Sequence, residues 1–206
     1  MSDVPIIEFE VDGQQVQVPD DGSNLLGTLR DYLDKRSAKD GCSPQGQCGC
    51  CTVLIDGQPR VACVTPTRRV KGRSITTLEG FSAEERARWG GAFCATGASQ
   101  CGFCTPGIIV RLAGLEEKKP DATEGDVQRA LSAHLCRCTG WQTIIEAWNQ
   151  RDTAVDDGRD LDAAAQRAEL EGGNVQAVSI SVALGDGGFA DDRAPADALV
   201  AVLSET

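Results

Sequence analysis

Gln100-Cys101-Gly102-Phe103-Cys104-Thr105-Pro106-Gly107, followed at a distance by Cys136-Arg137-Cys138-Thr139-Gly140, decides how the second half of the chain is read. Two residues separate the first pair of cysteines and one separates the second pair. Between the pairs, Ile108, Ile109, Leu112 and Leu115 recur at helical spacing behind Pro106. A proline suits the first turn of a helix, where its missing N–H costs nothing. Thr123 with Asp126 opens a further helix carrying Val127, Ala130, Leu131 and Leu135 on one face. Folding this helical hairpin brings Cys101, Cys104, Cys136 and Cys138 together. Helix N-termini after Cys104 and Cys138 would then aim positive dipole ends at an anionic group held there. Upstream, Ser82 with Glu85 reads as a capping box, and Gly140 precedes a helix with Ile144, Ile145 and Trp148. This half therefore reads as a small bundle of four short helices.

Working toward the N-terminus, residues 5–20 alternate like strands on both sides of Asp12-Gly13, a tight-turn dipeptide. Ser23 or Asp21 is placed to cap a helix bearing Leu25, Leu26, Leu29, Tyr32 and Leu33. A second hairpin turns at Asp56-Gly57. Two hairpins on one helix imply a compact α+β unit. Its Gly-rich loop carries Cys42, Cys48 and Cys51, and Cys63 follows the second hairpin, making a second quartet. Plant-type two-iron sites use C-x4-C-x2-C with a distant fourth cysteine, and here the first gap is one residue longer. Glycine permits the backbone turns that point N–H groups at bridging sulfides. Cys50 and Cys94 read as small buried residues rather than ligands. His134, the single histidine, reads as a helix-end residue satisfying carbonyls. Phe103 and Trp141 flank the second quartet as shielding. Two zinc ions remain an alternative, although Cys-x-Cys and a Gly-rich C-x5-C are less usual for zinc.

Composition narrows the remaining classes. Ten cysteines and 4% aromatic residues in 206 residues point to small cores held by something besides apolar packing. A net charge of −11 without Lys/Arg clusters argues against nucleic acid. No apolar run reaches the roughly 18 residues of a membrane span. The start of the chain lacks a secretory signal pattern, so a reducing, cytoplasmic compartment is expected and the cysteines read as metal ligands. Neither a phosphate-binding G-x-x-x-x-G-K-[ST] nor a strand-bound G-x-G-x-x-G occurs. Flavin and nicotinamide are therefore not expected on this chain. No triad can be built around His134.

Residues 100–107 with 136–140 are similar to the second-cluster motif of the xanthine oxidase (molybdenum hydroxylase) family. Residues 41–53 resemble its first-cluster motif, and Ile75-Thr76-Thr77-Leu78-Glu79-Gly80 resembles its segment between two domains. The resemblance covers residues 5–150. It implies a β-grasp, plant-type ferredoxin-like domain over residues 1–81 and a four-helix [2Fe–2S] domain over 82–155. A linker and C-terminal extension over 156–206 has no counterpart in it. It also implies one [2Fe–2S] cluster on Cys42, Cys48, Cys51 and Cys63, and another on Cys101, Cys104, Cys136 and Cys138. By the same resemblance Gln100 would hydrogen-bond a pterin and Cys138 would be the ligand nearest its edge. The implied partners are a large molybdopterin-binding subunit and an FAD-binding subunit, with electrons passing from the molybdenum site through both clusters to FAD. A free-standing two-cluster carrier is the alternative. Cys50 stands where the family carries a small residue.

Overall fold

The computed structural model describes residues 5–153. Strands β1 (Ile6–Val11) and β2 (Gln14–Pro19) are joined by Asp12-Gly13, both left-handed at φ 51° and 78°. Two such residues in a row give the two-residue turn whose twist matches paired strands. Asp56-Gly57, at 48° and 72°, does the same between β3 (Thr52–Ile55) and β4 (Gln58–Val61).

A fifth strand, β5 (Ser74–Thr76), runs between the hairpins, parallel to β1 and antiparallel to β3. The sheet order is β2-β1-β5-β3-β4. Sequence periodicity identifies the two hairpins but not β5, because three residues are too few to display a period. Pairing selects it instead: Ser74 and Ile75 sit against Glu10 and Val11, and Ile75 and Thr76 against Ile55 and Leu54. Asp12 secures the exit from β5. Its carboxylate accepts from the Thr77 amide (2.8 Å) and the Thr77 hydroxyl (3.0 Å), and pairs with Lys35 at 2.9 Å.

The helix after β2 is shorter than its apolar spacing suggests. Helix α1 (Leu25–Gly27) passes into one wider turn over Thr28–Tyr32. Neither Ser23 nor Asp21 caps it. Asn24 does, its side-chain oxygen accepting from the Gly27 amide at 2.9 Å. Asp21 instead accepts from the Ser23 amide and the Tyr32 hydroxyl, at 2.9 and 2.7 Å.

Four further helices follow: α2 (Ala83–Ala95), α3 (Thr105–Lys118), α4 (Glu124–Leu131) and α5 (Gln142–Gln150). Ser82/Glu85 and Thr123/Asp126 form reciprocal capping boxes at α2 and α4. Ser82→Ala removes the acceptor of the Glu85 amide, and we expect it to cost about 1 kcal/mol, measured by denaturant unfolding. Leu135, expected on the apolar face of α4, lies beyond its end and is 62% exposed. Glu116 on α3 joins α2 to α5 through Arg88 (2.6 Å) and Arg151 (2.7 Å).

Two sets of buried side chains result. Phe9, Val11, Leu25, Leu29, Val53, Ile55 and Ile75 pack against one another beneath the sheet. Trp89, Phe93, Ile108, Leu112, Val127, Ile144 and Trp148 fill the space among the helices. Strand β3 is buried on both faces because alternate residues serve the two sets: Val53 and Ile55 the first, Leu54 the second. Among the described residues the structure is thus mixed α/β, with one five-stranded sheet and five helices. None of these helices is long and apolar enough to cross a membrane. In the sequence, residues 152–173 suggest a linker with some helix, 178–184 alternate like a strand and 199–203 form an apolar run; apart from residues 152 and 153 these lie outside the described residues.

Candidate metal centres

The first cysteine group is assembled by the β3–β4 hairpin and the loop entering it. Cys51 directly precedes β3. The register pairs Thr52 with Val61, which brings Cys63 in the short turn Ala62–Val64 back beside Cys51. The Cys63 amide points at Cys51 Sγ at 3.5 Å. At the other end of the loop, the amides of Gln47 and Cys48 both donate to Cys42 Sγ at 3.3 Å. Gly46 and Gly49 make this possible at φ 68° and 70°. Burial raises the Cys42 thiol, but the amides around it outweigh that effect and hold it below the ordinary thiol value. Burial pushes Cys51 up to about 12. The thiols lie in contact as two pairs, Cys42 with Cys48 and Cys51 with Cys63. Cys50 is buried, donates its thiol to the Cys48 carbonyl at 3.6 Å, and is pushed by burial to about 12.

Helix α3 and the segment after α4 build the second group. Cys104 occupies the position just before α3, with Pro106 in the first turn. Arg111 on α3 donates to the Ala130 carbonyl at 2.9 Å, fixing the end of α4 and therefore the start of the segment that carries Cys136 and Cys138. Cys101 and Cys138 lie with their sulfurs 3.6 Å apart. Cys104 contacts Cys136, whose sulfur also meets the Thr139 hydroxyl at 3.2 Å. Burial pushes Cys104 up to about 12. Cys136 goes the other way, because hydrogen bonds from Thr139 and the Cys138 amide outweigh its burial. Helix α5 begins at Gln142, not directly after Cys138. Between them Gly140 and Trp141 take φ of 68° and 77°, a left-handed pair that a bulky residue adopts only under constraint from its surroundings.

All eight cysteines singled out from the sequence thus fall into two spatial groups, and each group consists of two sulfur pairs. Cys50 is buried as the sequence suggests, whereas Cys94, read as a buried filler, is exposed. Among the described residues, no three His, Cys, Asp or Glu side chains converge on one point as a single bound ion requires. Sulfurs in separate pairs fit a [2Fe–2S] cluster, in which four cysteines are divided between two irons. The cradle is also tight, since a Cβ on Gly41 would stand 3.1 Å from Cys48 Sγ. Gln100, Cys101 and Cys138 form an exposed edge, where the Gln100 amide donates to the Cys138 carbonyl at 3.2 Å.

Three residues have roles the sequence did not disclose. His134 is 5% exposed and satisfies no helix-end carbonyl with its ring; its Nε2 lies 3.2 Å from the Thr52 hydroxyl. Burial, with Arg111 beside it, pushes His134 down to about 4 against a weaker opposing pull from the Gly107 backbone. Gly107 packs on the Gly49–Cys50 backbone with no room for a Cβ. Phe103 reaches across to Gly41 of the first loop, where a Cβ would meet its ring at 3.1 Å. These are contacts between segments roughly 60 to 80 residues apart, and no local spacing signals them.

Residues 77–149 match the model of the [2Fe–2S] binding domain family. The chain is 41% identical over 147 residues to the nicotine 6-hydroxylase small subunit of Paenarthrobacter nicotinovorans, covering 71% of this chain and 88% of that protein. It is 38% identical over 131 residues to the nicotinate dehydrogenase small FeS subunit of Eubacterium barkeri, covering 63% of this chain and 83% of that protein. Among solved structures, quinoline 2-oxidoreductase from Pseudomonas putida 86 contains a chain that superposes with a TM-score of 0.66 at 34% identity. The match covers 82% of this chain and 99% of that one. With relatives at this identity matched over most of their own length, the chain belongs to the iron–sulfur small-subunit family of the xanthine oxidase-type molybdenum hydroxylases.

Proposed function

We propose that this chain is the electron-relay subunit of a molybdenum hydroxylase, set between a large molybdopterin-binding subunit and an FAD-binding subunit. Cys42, Cys48, Cys51 and Cys63 would hold one [2Fe–2S] cluster, and Cys101, Cys104, Cys136 and Cys138 the other. The observation that carries this reading is the arrangement of eight thiols as two pairs in each of two groups. When bound, each cluster supplies a site that accepts and releases one electron.

The chain's own residues supply the rest. Amides of Gln47, Cys48 and Cys63 aimed at cysteine sulfurs favour the anionic form of the ligands and stabilise added negative charge. Burial of Cys48, Cys51 and Cys63 keeps water from the first group. The exposed edge of Gln100, Cys101 and Cys138 suits the second group to face the molybdopterin side, with Gln100 reaching the pterin and Cys138 lying nearest it. We assign residues 1–81 to a β-grasp ferredoxin-like domain and 82–155 to a helical cluster domain; most buried side chains of each pack within it, while Cys48, Cys50, Leu54 and Phe81 join the helical set. Eight cysteines held as metal ligands suit a cytoplasmic, reducing setting.

The purified chain, reduced with dithionite, is expected to show two distinct low-temperature EPR signals of reduced [2Fe–2S] centres, with matching iron and sulfide. A colourless protein that binds zinc and contains no sulfide would refute the relay. Co-purification with a molybdopterin subunit at fixed stoichiometry separates a subunit from a free carrier. Loading should also release protons, because burial keeps Cys51 and Cys104 protonated at neutral pH and metal binding requires thiolates. Loading is therefore favoured as pH rises. The check is acidification of a weakly buffered apo-chain solution during anaerobic reconstitution.

A further inference from the structure

The two cysteine groups are tied to each other by a short chain of hydrogen bonds, those at Thr52 buried. The Leu135 amide donates to the Cys48 carbonyl at 3.0 Å. The Thr52 hydroxyl donates to the Gly49 carbonyl at 2.7 Å. That hydroxyl has one proton, so in the 3.2 Å contact with His134 it must accept. With the Thr52 proton on the Gly49 carbonyl, His134 Nε2 is the donor in this contact. The ring itself occupies the space over Gly49, where a Cβ would collide with it. From the far side, Gly107 of α3 closes on the Gly49 carbonyl. Gly49 and Thr52 lie immediately after Cys48 and Cys51, and His134 lies two residues before Cys136.

We propose that His134 is a positioning residue that sets the separation of the two cysteine groups, its ring filling the space above Gly49 and its Nε2 proton locking the segment that enters Cys136 onto the loop between Cys48 and Cys51. This rests on the reading that both groups hold clusters. A residue that merely filled space could be aromatic and apolar. The buried donor and the hydroxyl relay have a use only if the register between the two segments matters. An unlocked segment could slide on the Cys48–Thr52 loop while each group kept its own four thiols.

The test uses the full chain loaded with iron and sulfide, in four forms: wild type, His134→Phe, Thr52→Val and His134→Gln. Phenylalanine fills the space without a donor, valine removes the relay while keeping the ring, and glutamine restores a donor. Hydrogen exchange by mass spectrometry reads the peptides containing Leu135 and Cys48–Thr52. EPR of the fully reduced chain reads the magnetic interaction between the two centres. We expect His134→Phe and Thr52→Val to retain iron, to exchange faster in both peptides but not in β1–β2, and to lose the inter-centre interaction. His134→Gln should retain wild-type behaviour in both readouts. The positioning role is overturned if His134→Phe and Thr52→Val match wild type, if His134→Gln behaves like His134→Phe, or if the wild-type centres do not interact. A wild-type chain with no [2Fe–2S] signal would instead overturn the reading beneath it.

Discussion

Replacing Cys104 by serine is expected to lower bound iron from about four to about two atoms per chain and to abolish one of the two EPR signals, leaving the other intact. Cys104 is buried, stands at the start of α3 and contacts Cys136. Serine at that place offers a hard hydroxyl where a thiolate is needed, and the neighbouring Cys136 loses its pair. The first group should persist, because its four thiols belong to the β3–β4 hairpin and the loop before it, not to α3. Metal binding contributes folding free energy, so the segment after α4 should also become more open to proteolysis. Retention of full iron and both signals would exclude Cys104 as a ligand. Metal analysis and EPR on the same sample decide it.

Gly49→Ala is the second large effect, and here the cause is steric. The residue sits at φ 70°, and a Cβ would collide with the His134 ring. The left-handed backbone costs about 1–2 kcal/mol for a non-glycine residue, and overpacking a buried contact adds about 1–3 kcal/mol. We expect a loss near the sum, about 3 kcal/mol, with both cysteine groups disturbed because Gly49 touches His134 and Gly107. Gly13→Ala is the control. Gly13 has φ 78° but nothing within 4 Å of where a Cβ would stand, so it should lose only the backbone share. Denaturant unfolding of the two variants separates the terms. Equal losses would show that the His134 contact carries no weight.

Much of this protein could be read from the order of its residues, where the controlling interactions are local. Asp12-Gly13 and Asp56-Gly57 specify hairpins because both residues of each pair must turn left-handed. Ser82/Glu85 and Thr123/Asp126 specify helix starts because their reciprocal hydrogen bonds span three residues. Close spacing in loops likewise marked out the cysteines that the fold brings into sulfur pairs. What only the tertiary structure decided depends on segments far apart in the chain. Strand β5 exists because β1 and β3 offer it two edges. Asn24, not Ser23 or Asp21, caps α1 because Ser23 is held through Thr67, whose amide and hydroxyl donate to the Ser23 carbonyl. Leu135 leaves the apolar face of α4 because its amide is taken by Cys48. The contact of His134 with Thr52 spans 82 residues, and such a contact leaves no period, cap or turn in the sequence, because it is chosen by the shape and unmet hydrogen bonds of surfaces that exist only once the chain has folded.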